Sequence, residues 1–334
     1  MKNYEVRLTS TGRLTQLPDS QKLFGALVYM YSERYGQDFA SKLTKDVLDK
    51  KIYLSLSNVM PLGYCPTPQE YIVDKLAERN DGKSSFKERR AAVKIRKYIP
   101  TTELNDILSE PEKCETIFPY IKIQSSQQQH AFIASSFYDM PELDSKLYSI
   151  PAIELLEINL DEKQEEERRS VNAFYFYFQV DDSEASSNLL DMLNEAASTK
   201  RTIILGKRAS QGMNTFKFQE LVASDLTPST TSNRFLNMGM LLPDKIDFAS
   251  STLKLFTSER RPFEMPGGWN KDFVKQYISF IAEGSIITLT NGLTNAGKAI
   301  KSPFNLQRDI VFGNAFLYPL PNEWKDGRKN DKIK

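Results

Sequence analysis

Gly206-Lys207-Arg208-Ala209-Ser210-Gln211-Gly212 sets two cations and a hydroxyl between two glycines. Glycine reaches left-handed backbone conformations at no steric cost and lets a ligand come close to the main chain. Successive N–H groups in such a loop form a concave nest for an anion. Lys207 and Arg208 add charge, and Ser210 adds a hydroxyl donor. The combination suits a phosphate. A hairpin turn with solvated cations accounts for the same residues, because short basic glycine loops are common. A second basic stretch, Lys87 to Lys97, holds six cations and one acid. On a helix, Lys87, Arg90, Lys94 and Lys97 would align as one stripe, with Arg96 beside it; a solvated helical face is the alternative.

Catalytic readings of the same residues fail on spacing. The loop is no P-loop, because Lys207 comes at its start and no Gly-Lys-Ser/Thr precedes a helix. Around Ser210 it approaches a nucleophile elbow, but Arg208 takes the place of the first glycine, and the segment after it alternates like a strand. The sole histidine, His130, lies upstream in an alternating polar run, Gln127-Gln128-Gln129-His130. It reads as a strand histidine making polar contacts. Two cysteines, Cys65 and Cys114, make neither a disulfide framework nor a zinc site. No metal or cofactor is implied.

Several elements must position these residues. Tyr4, Val6 and Leu8 alternate as in a half-buried strand. Asp19 or Ser20 caps a helix with Leu23, Leu27 and Met30 or Tyr31 on its apolar face, ending at Gly36. A second helix fits 38–49, and a strand fits 52–56. The three prolines of Met60 to Pro68 read as loop. Residues 69–170 read as a long, partly mobile insertion with short β-like pieces. Phe174, Phe176 and Phe178 alternate with Tyr175 and Tyr177 in a strand whose Phe face suits a core. Aromatic strands also stack RNA bases. Ser187 to Ala197 is a helix, and Arg201 to Leu205 a strand leading into the glycine loop. Beyond it, β-like runs recur at 235–242, 252–257, 276–282, 285–289 and 313–320. The order of elements predicts an α+β chain: a ferredoxin-like first half, 1–205 with the insertion, a sheet-rich second half, 206–321, and a polar tail, 322–334.

The chain of 334 residues holds 44 basic and 43 acidic side chains, so it has almost no net field. Nucleic-acid binders that act alone are usually basic overall. Segregated charge instead suits a subunit with one RNA-facing surface and others facing partners. No apolar run approaches a membrane span, and the N-terminus lacks the apolar core of a signal peptide. A reducing cytoplasm is the expected setting, with no membrane partner.

Several separated segments together resemble a known family. Leu17-Pro18-Asp19-Ser20-Gln21-Lys22-Leu23-Phe24-Gly25-Ala26-Leu27 is similar to the start of the first helix in CRISPR-associated RAMP proteins. Leu54-Ser55-Leu56-Ser57-Asn58, leading to Pro66-Thr67-Pro68, resembles their next strand and loop. Gly206 to Gly212 is similar to their glycine-rich loop, with Met213-Asn214 where Phe-Gly is frequent. Ala282-Glu283-Gly284-Ser285 and Phe312-Gly313-Asn314-Ala315-Phe316-Leu317-Tyr318-Pro319-Leu320-Pro321 resemble the close of the Csm4-type subgroup of type III-A CRISPR complexes.

The resemblance implies two RRM-like (ferredoxin-like) domains and no catalytic residues. It implies a subunit that binds the repeat-derived 5′ tag of the crRNA and contacts both the large polymerase/nuclease subunit and the adjacent backbone RAMP subunit. Gly206, Lys207, Arg208, Ser210 and Gly212 would grip tag phosphates, with Lys22 as a neighbour. A thumb hairpin is expected within 117–148, although the family's Asn-x-x-Asp-Arg segment is not evident there. The alternative within the same fold is an endoribonuclease that processes CRISPR precursor RNA, with His130 or a Tyr/Lys pair as its base.

Overall fold

The computed structural model describes residues 1–78, 85–133, 145–226, 233–259, 275–290, 295–304 and 308–321, without side chains at 130–133 and 145–147. The chain starts with strand β1 (Lys2–Ser10) and helix α1 (Ser20–Tyr35). Asp19 caps α1 by accepting the Lys22 N–H at 2.9 Å, and Gly36 closes it by donating to the Ser32 carbonyl. Helix α2 (Gln37–Leu48) and strand β2 (Leu54–Leu56) follow where apolar spacing predicts them.

The stretch read as loop departs from expectation. Met60–Pro61 forms β3 and Tyr64–Pro66 forms β4, two very short strands. Prolines fit there because strands of two and three residues ask for few ladder donors.

The insertion is more regular than its sequence implies. Among its described residues are α3 (Gln69–Glu78), α4 (Phe86–Ile95), β5 (Tyr98–Pro100) and α5 (Leu104–Ser109). Strands β6 (Tyr120–Ile133), β7 (Ser145–Leu160) and β8 (Glu166–Ser170) complete it. Together with β4 they make a five-stranded sheet ordered β4-β5-β6-β7-β8. The expected hairpin is β6–β7, paired from Tyr120↔Ile158 to Ile133↔Ser145, with its tip outside the described residues.

Strand β9 (Ala173–Val180) returns to the first sheet, followed by α6 (Glu184–Ser198), β10 (Thr202–Ile204) and β11 (Thr215–Ser224). The first sheet runs β10-β11-β1-β9-β2, all antiparallel, with β3 also on β9. β11 lies beyond the 205/206 boundary read from sequence, yet it pairs with β1 along most of its length, so the first sheet extends to Ser224. Phe174, Phe176, Phe178, Phe216 and Phe218 share one core with Leu23 and Leu27 of α1 and Leu189 and Leu193 of α6.

The opposite face of this sheet is also covered. Tyr177 stacks on Phe316 with ring centroids 4.7 Å apart, and Tyr175 donates its hydroxyl to the Tyr64 carbonyl at 2.8 Å. Tyr175 and Tyr177 are only 1% and 6% exposed, so β9 offers no open aromatic surface for bases to stack on.

The second half contains β12 (Arg234–Asn237), β13 (Leu255–Glu259), β14 (Tyr277–Ile281), β15 (Ile286–Thr288), β16 (Ile300–Lys301), β17 (Ile310–Val311) and β18 (Leu317–Pro319). Each β-like run read from the sequence overlaps one of these strands, while β16 and β17 fall outside the runs. They form a three-stranded sheet, β15-β12-β18, and the pairs β13–β14 and β16–β17. Residues 322–334, the predicted tail, lie outside the described residues.

The two halves interlock through backbone. Leu56 donates to the Asn314 carbonyl at 3.1 Å and accepts from Phe316 at 2.9 Å. The Ser20 N–H donates to Asn58 Oδ1, and Ser20 Oγ accepts the Met240 N–H. The first-helix start and the 54–58 and 312–321 segments are thus bonded to one another. Both cysteines are buried and free, and burial pushes each thiol up to about 12. No described helix is long and apolar enough to cross a membrane.

Candidate nucleic-acid interface

The glycine loop hangs off the end of the first sheet, between β10 and β11. A single 3-10 turn, Ala209–Gln211, occupies its middle. Arg208 and Gly212 flank the turn with φ of 65° and 69°, so the loop backbone is left-handed on both sides. Lys207, Arg208, Ser210 and Gly212 are exposed, and Gly206 is partly exposed. Arg208 Nη1 donates to Gln211 Oε1 at 3.3 Å. The N–H groups of Gln211, Gly212 and Met213 bond the Arg208 and Ala209 carbonyls within the loop, so its exposed cations and the Ser210 hydroxyl, rather than those amides, are what it offers an anion.

What holds the loop was not visible in its own residues. Asn214 is fully buried and takes φ of 54°, a left-handed conformation that asparagine tolerates better than other non-glycine residues. Its Nδ2 donates to the Lys207 carbonyl at 2.8 Å, and its Oδ1 accepts the Thr15 N–H at 2.9 Å. Its own N–H donates to the Arg13 carbonyl. The loop is thereby fastened to the turn between β1 and α1.

That turn brings in Arg13, a cation that the sequence reading missed. Arg13 is exposed, and its Nη1 donates to Gln128 Oε1 on β6 at 3.0 Å. The same turn joins the hairpin, with the Ile153 N–H donating to the Leu14 carbonyl at 2.7 Å. The only local clue was Gly12-Arg13 directly after a strand.

Lys22 and Lys207 line one cleft of about 380 Å³ between α1 and the second half. Phe24, Met240, Ile278 and Phe280 supply its apolar wall. Lys22 Nζ is ion-paired to Asp19.

The second basic stretch divides. Helix α4 ends at Ile95, so Lys97 lies beyond it and no four-residue stripe forms. Lys94 and Lys97 are exposed. Burial together with the charges of Lys254 and Lys94 holds Lys97 below the ordinary lysine range, while Glu283 opposes this. Lys254, from the second half, thus joins this cluster unforeseen. Arg96 turns inward. It is 6% exposed, donates to the Ala92 carbonyl at 2.8 Å, and lies 4.4 Å from the Tyr120 ring centroid and 5.5 Å from that of Phe118. The structure therefore removes Arg96 from the surface cations, because these partners consume its guanidinium. The side chain of His130 lies outside the described residues.

No protein-family model matches the chain, and no curated protein matches it. Among solved structures it is similar to a chain of a Csm1–Csm4 cassette in complex with cA4. That match has a TM-score of 0.54 and 16% identity over 96% of this chain and 98% of the other. A Csm1–Csm4 cassette with pppApA gives a TM-score of 0.53 at 16% identity over the same shares. A chain of a Csm3–Csm4 subcomplex of the type III-A CRISPR-Cas interference complex is covered completely, at 18% identity and a TM-score of 0.49. The cassette matches show that this chain shares its fold with those chains over 96% of its length.

Proposed function

We propose that the chain is a Csm4-type RAMP subunit of a type III-A CRISPR effector complex, holding the repeat-derived 5′ tag of the crRNA. In this reading it links the large polymerase/nuclease subunit to the adjacent backbone RAMP subunit, has no catalytic role, and serves antiviral defence. The observation that carries it is the exposed loop of Lys207 and Arg208, left-handed at Arg208 and fastened to the β1–α1 turn by buried Asn214. Among the described residues the Arg208 guanidinium meets no carboxylate, and such an exposed fork is suited to a phosphodiester.

Three further observations support the reading. The order β11-β1-β9-β2, with α1 and α6 as the connecting helices, is that of a ferredoxin-like half. The second half carries an antiparallel sheet of its own, β15-β12-β18. Both cassettes that share the fold pair Csm4 with Csm1. Covered faces on β9 leave loops and hairpin, rather than the sheet, to meet RNA.

The test is UV crosslinking of the tagged chain in its host, followed by sequencing of the attached RNA. A constant repeat-derived 5′ end joined to varied spacers is expected. RNA lacking that end, or none at all, would overturn the assignment. Incubating the purified chain with repeat RNA without metal is expected to leave the RNA intact; defined cleavage would favour the processing endoribonuclease instead.

A further inference from the structure

We propose that the turn between β1 and α1 forms the second wall of the phosphate site, with Arg13 as a further RNA-binding cation; this rests on the loop reading above.

The first argument is placement. Asn214 donates its N–H to the carbonyl of Arg13 itself, at 2.9 Å. Thr11 donates to the Thr215 carbonyl at 2.9 Å, and Thr15 receives the Asn214 side chain. The turn and the glycine loop are therefore one backbone-bonded unit, and a polyanion seated on Arg208 passes within reach of Arg13.

The second argument is how each arginine is held. Arg7, Arg34, Arg89, Arg168, Arg169 and Arg201 each reach a carboxylate within 4.0 Å. A surface arginine so paired has its charge largely cancelled. Arg13 and Arg208 instead bond the amide oxygens of Gln128 and Gln211. Among the described residues, no ion pair involves either of them. A neutral amide fixes the direction of the guanidinium, uses one of its five N–H donors, and leaves the charge intact. Two arginines aimed this way on bonded segments are poised for the bidentate recognition of a phosphate. Gln128 lies on the long hairpin, so Arg13 also marks where a bound strand would leave the loop and meet β6.

The full-length chain would be titrated with a fluorescent single-stranded RNA carrying the host's repeat-derived 5′ end, at several salt concentrations. Arg13→Ala is expected to weaken binding about tenfold and to reduce the slope of log K against log salt by about 0.7, with an unchanged unfolding midpoint. Gln128→Leu removes the amide acceptor and should leave the slope unaltered. Equal weakening by both variants at constant slope would mean that Arg13 only anchors the hairpin, and the inference would fall. If Lys207→Ala/Arg208→Ala loses binding while Arg13→Ala does not, this inference fails and the loop reading stands. If the loop variant also binds normally, both fail together.

Discussion

Gly12 and Gly212 lie so close that a side-chain carbon on Gly12 would stand 2.0 Å from the Gly212 carbonyl oxygen and 3.1 Å from its carbonyl carbon. Both atoms are backbone, so neither can swing aside. Gly12→Ala must push the glycine loop away from the β1–α1 turn. Overpacking of this kind costs about 1–3 kcal/mol. We expect urea unfolding to show that loss and RNA affinity to fall with it. Gly36→Ala serves as the contrast. A carbon there meets no atom within 4 Å but is strained by φ of 97°, so it should lower stability without changing affinity per folded molecule.

Lys207→Ala with Arg208→Ala tests the loop's charges without touching its frame. Both side chains are exposed, and the bonds that clamp the loop come from Asn214 and the main chain. The unfolding free energy should stay within about 0.5 kcal/mol of the parent. Binding of the repeat-derived RNA end should weaken most at low salt, because counterion release supplies much of the affinity. Equal binding by parent and variant in filter or anisotropy assays would exclude the loop as the contact.

Arg96→Ala separates a structural arginine from an RNA-binding one. Its loss leaves the Ala92 carbonyl unpaired and removes a cation from the faces of Phe118 and Tyr120. Together these are worth about 2–4 kcal/mol. Arg96→Lys should recover little of it, since an ammonium reproduces neither the planar fork nor the stacking. Lys94→Ala, on the exposed face nearby, should leave stability nearly unchanged. An Arg96→Ala chain of parental stability that loses RNA binding would reverse the assignment.

These predictions trace which information was local. Helix α1 was legible because Asp19, the Leu23/Leu27 stripe and Gly36 all lie within the helix or next to it. The strands of the second half were legible as alternating runs, although most proved shorter than the runs themselves. Arg96 was misread because its partners Phe118 and Tyr120 come more than twenty residues later, where spacing along α4 carries no signal. The membership of β11 in the first sheet depends on β1, at the far end of the chain. Strand β6 hid its nature behind Gln124 to Gln129, whose polar side chains are mostly exposed on a hairpin and so lack an apolar period. The loop's residues were legible, but Asn214's clamp on Thr15 and Lys207 was not.

Glu283 provides a pH-dependent test of the joint between the halves. Its carboxylate accepts the Tyr98 hydroxyl at 3.2 Å and the Asn58 side-chain amide. Its enclosure raises the carboxyl above its ordinary 4.5, while Asn58, Lys254 and Tyr98 oppose the rise and Asp19 adds to it. A carboxyl raised in the folded state binds its proton more tightly there than in the unfolded chain. Stability from this group is therefore full below pH 4.5 and declines as pH rises through the folded value. Glu283→Gln cannot titrate and should lack this decline. Urea midpoints measured from pH 4 upward, for parent and variant, should diverge with that sign after the other titrations common to both cancel. Parallel curves would show that Glu283 keeps its ordinary titration, and that the bonds from Asn58 and Tyr98 offset the cost of enclosing it.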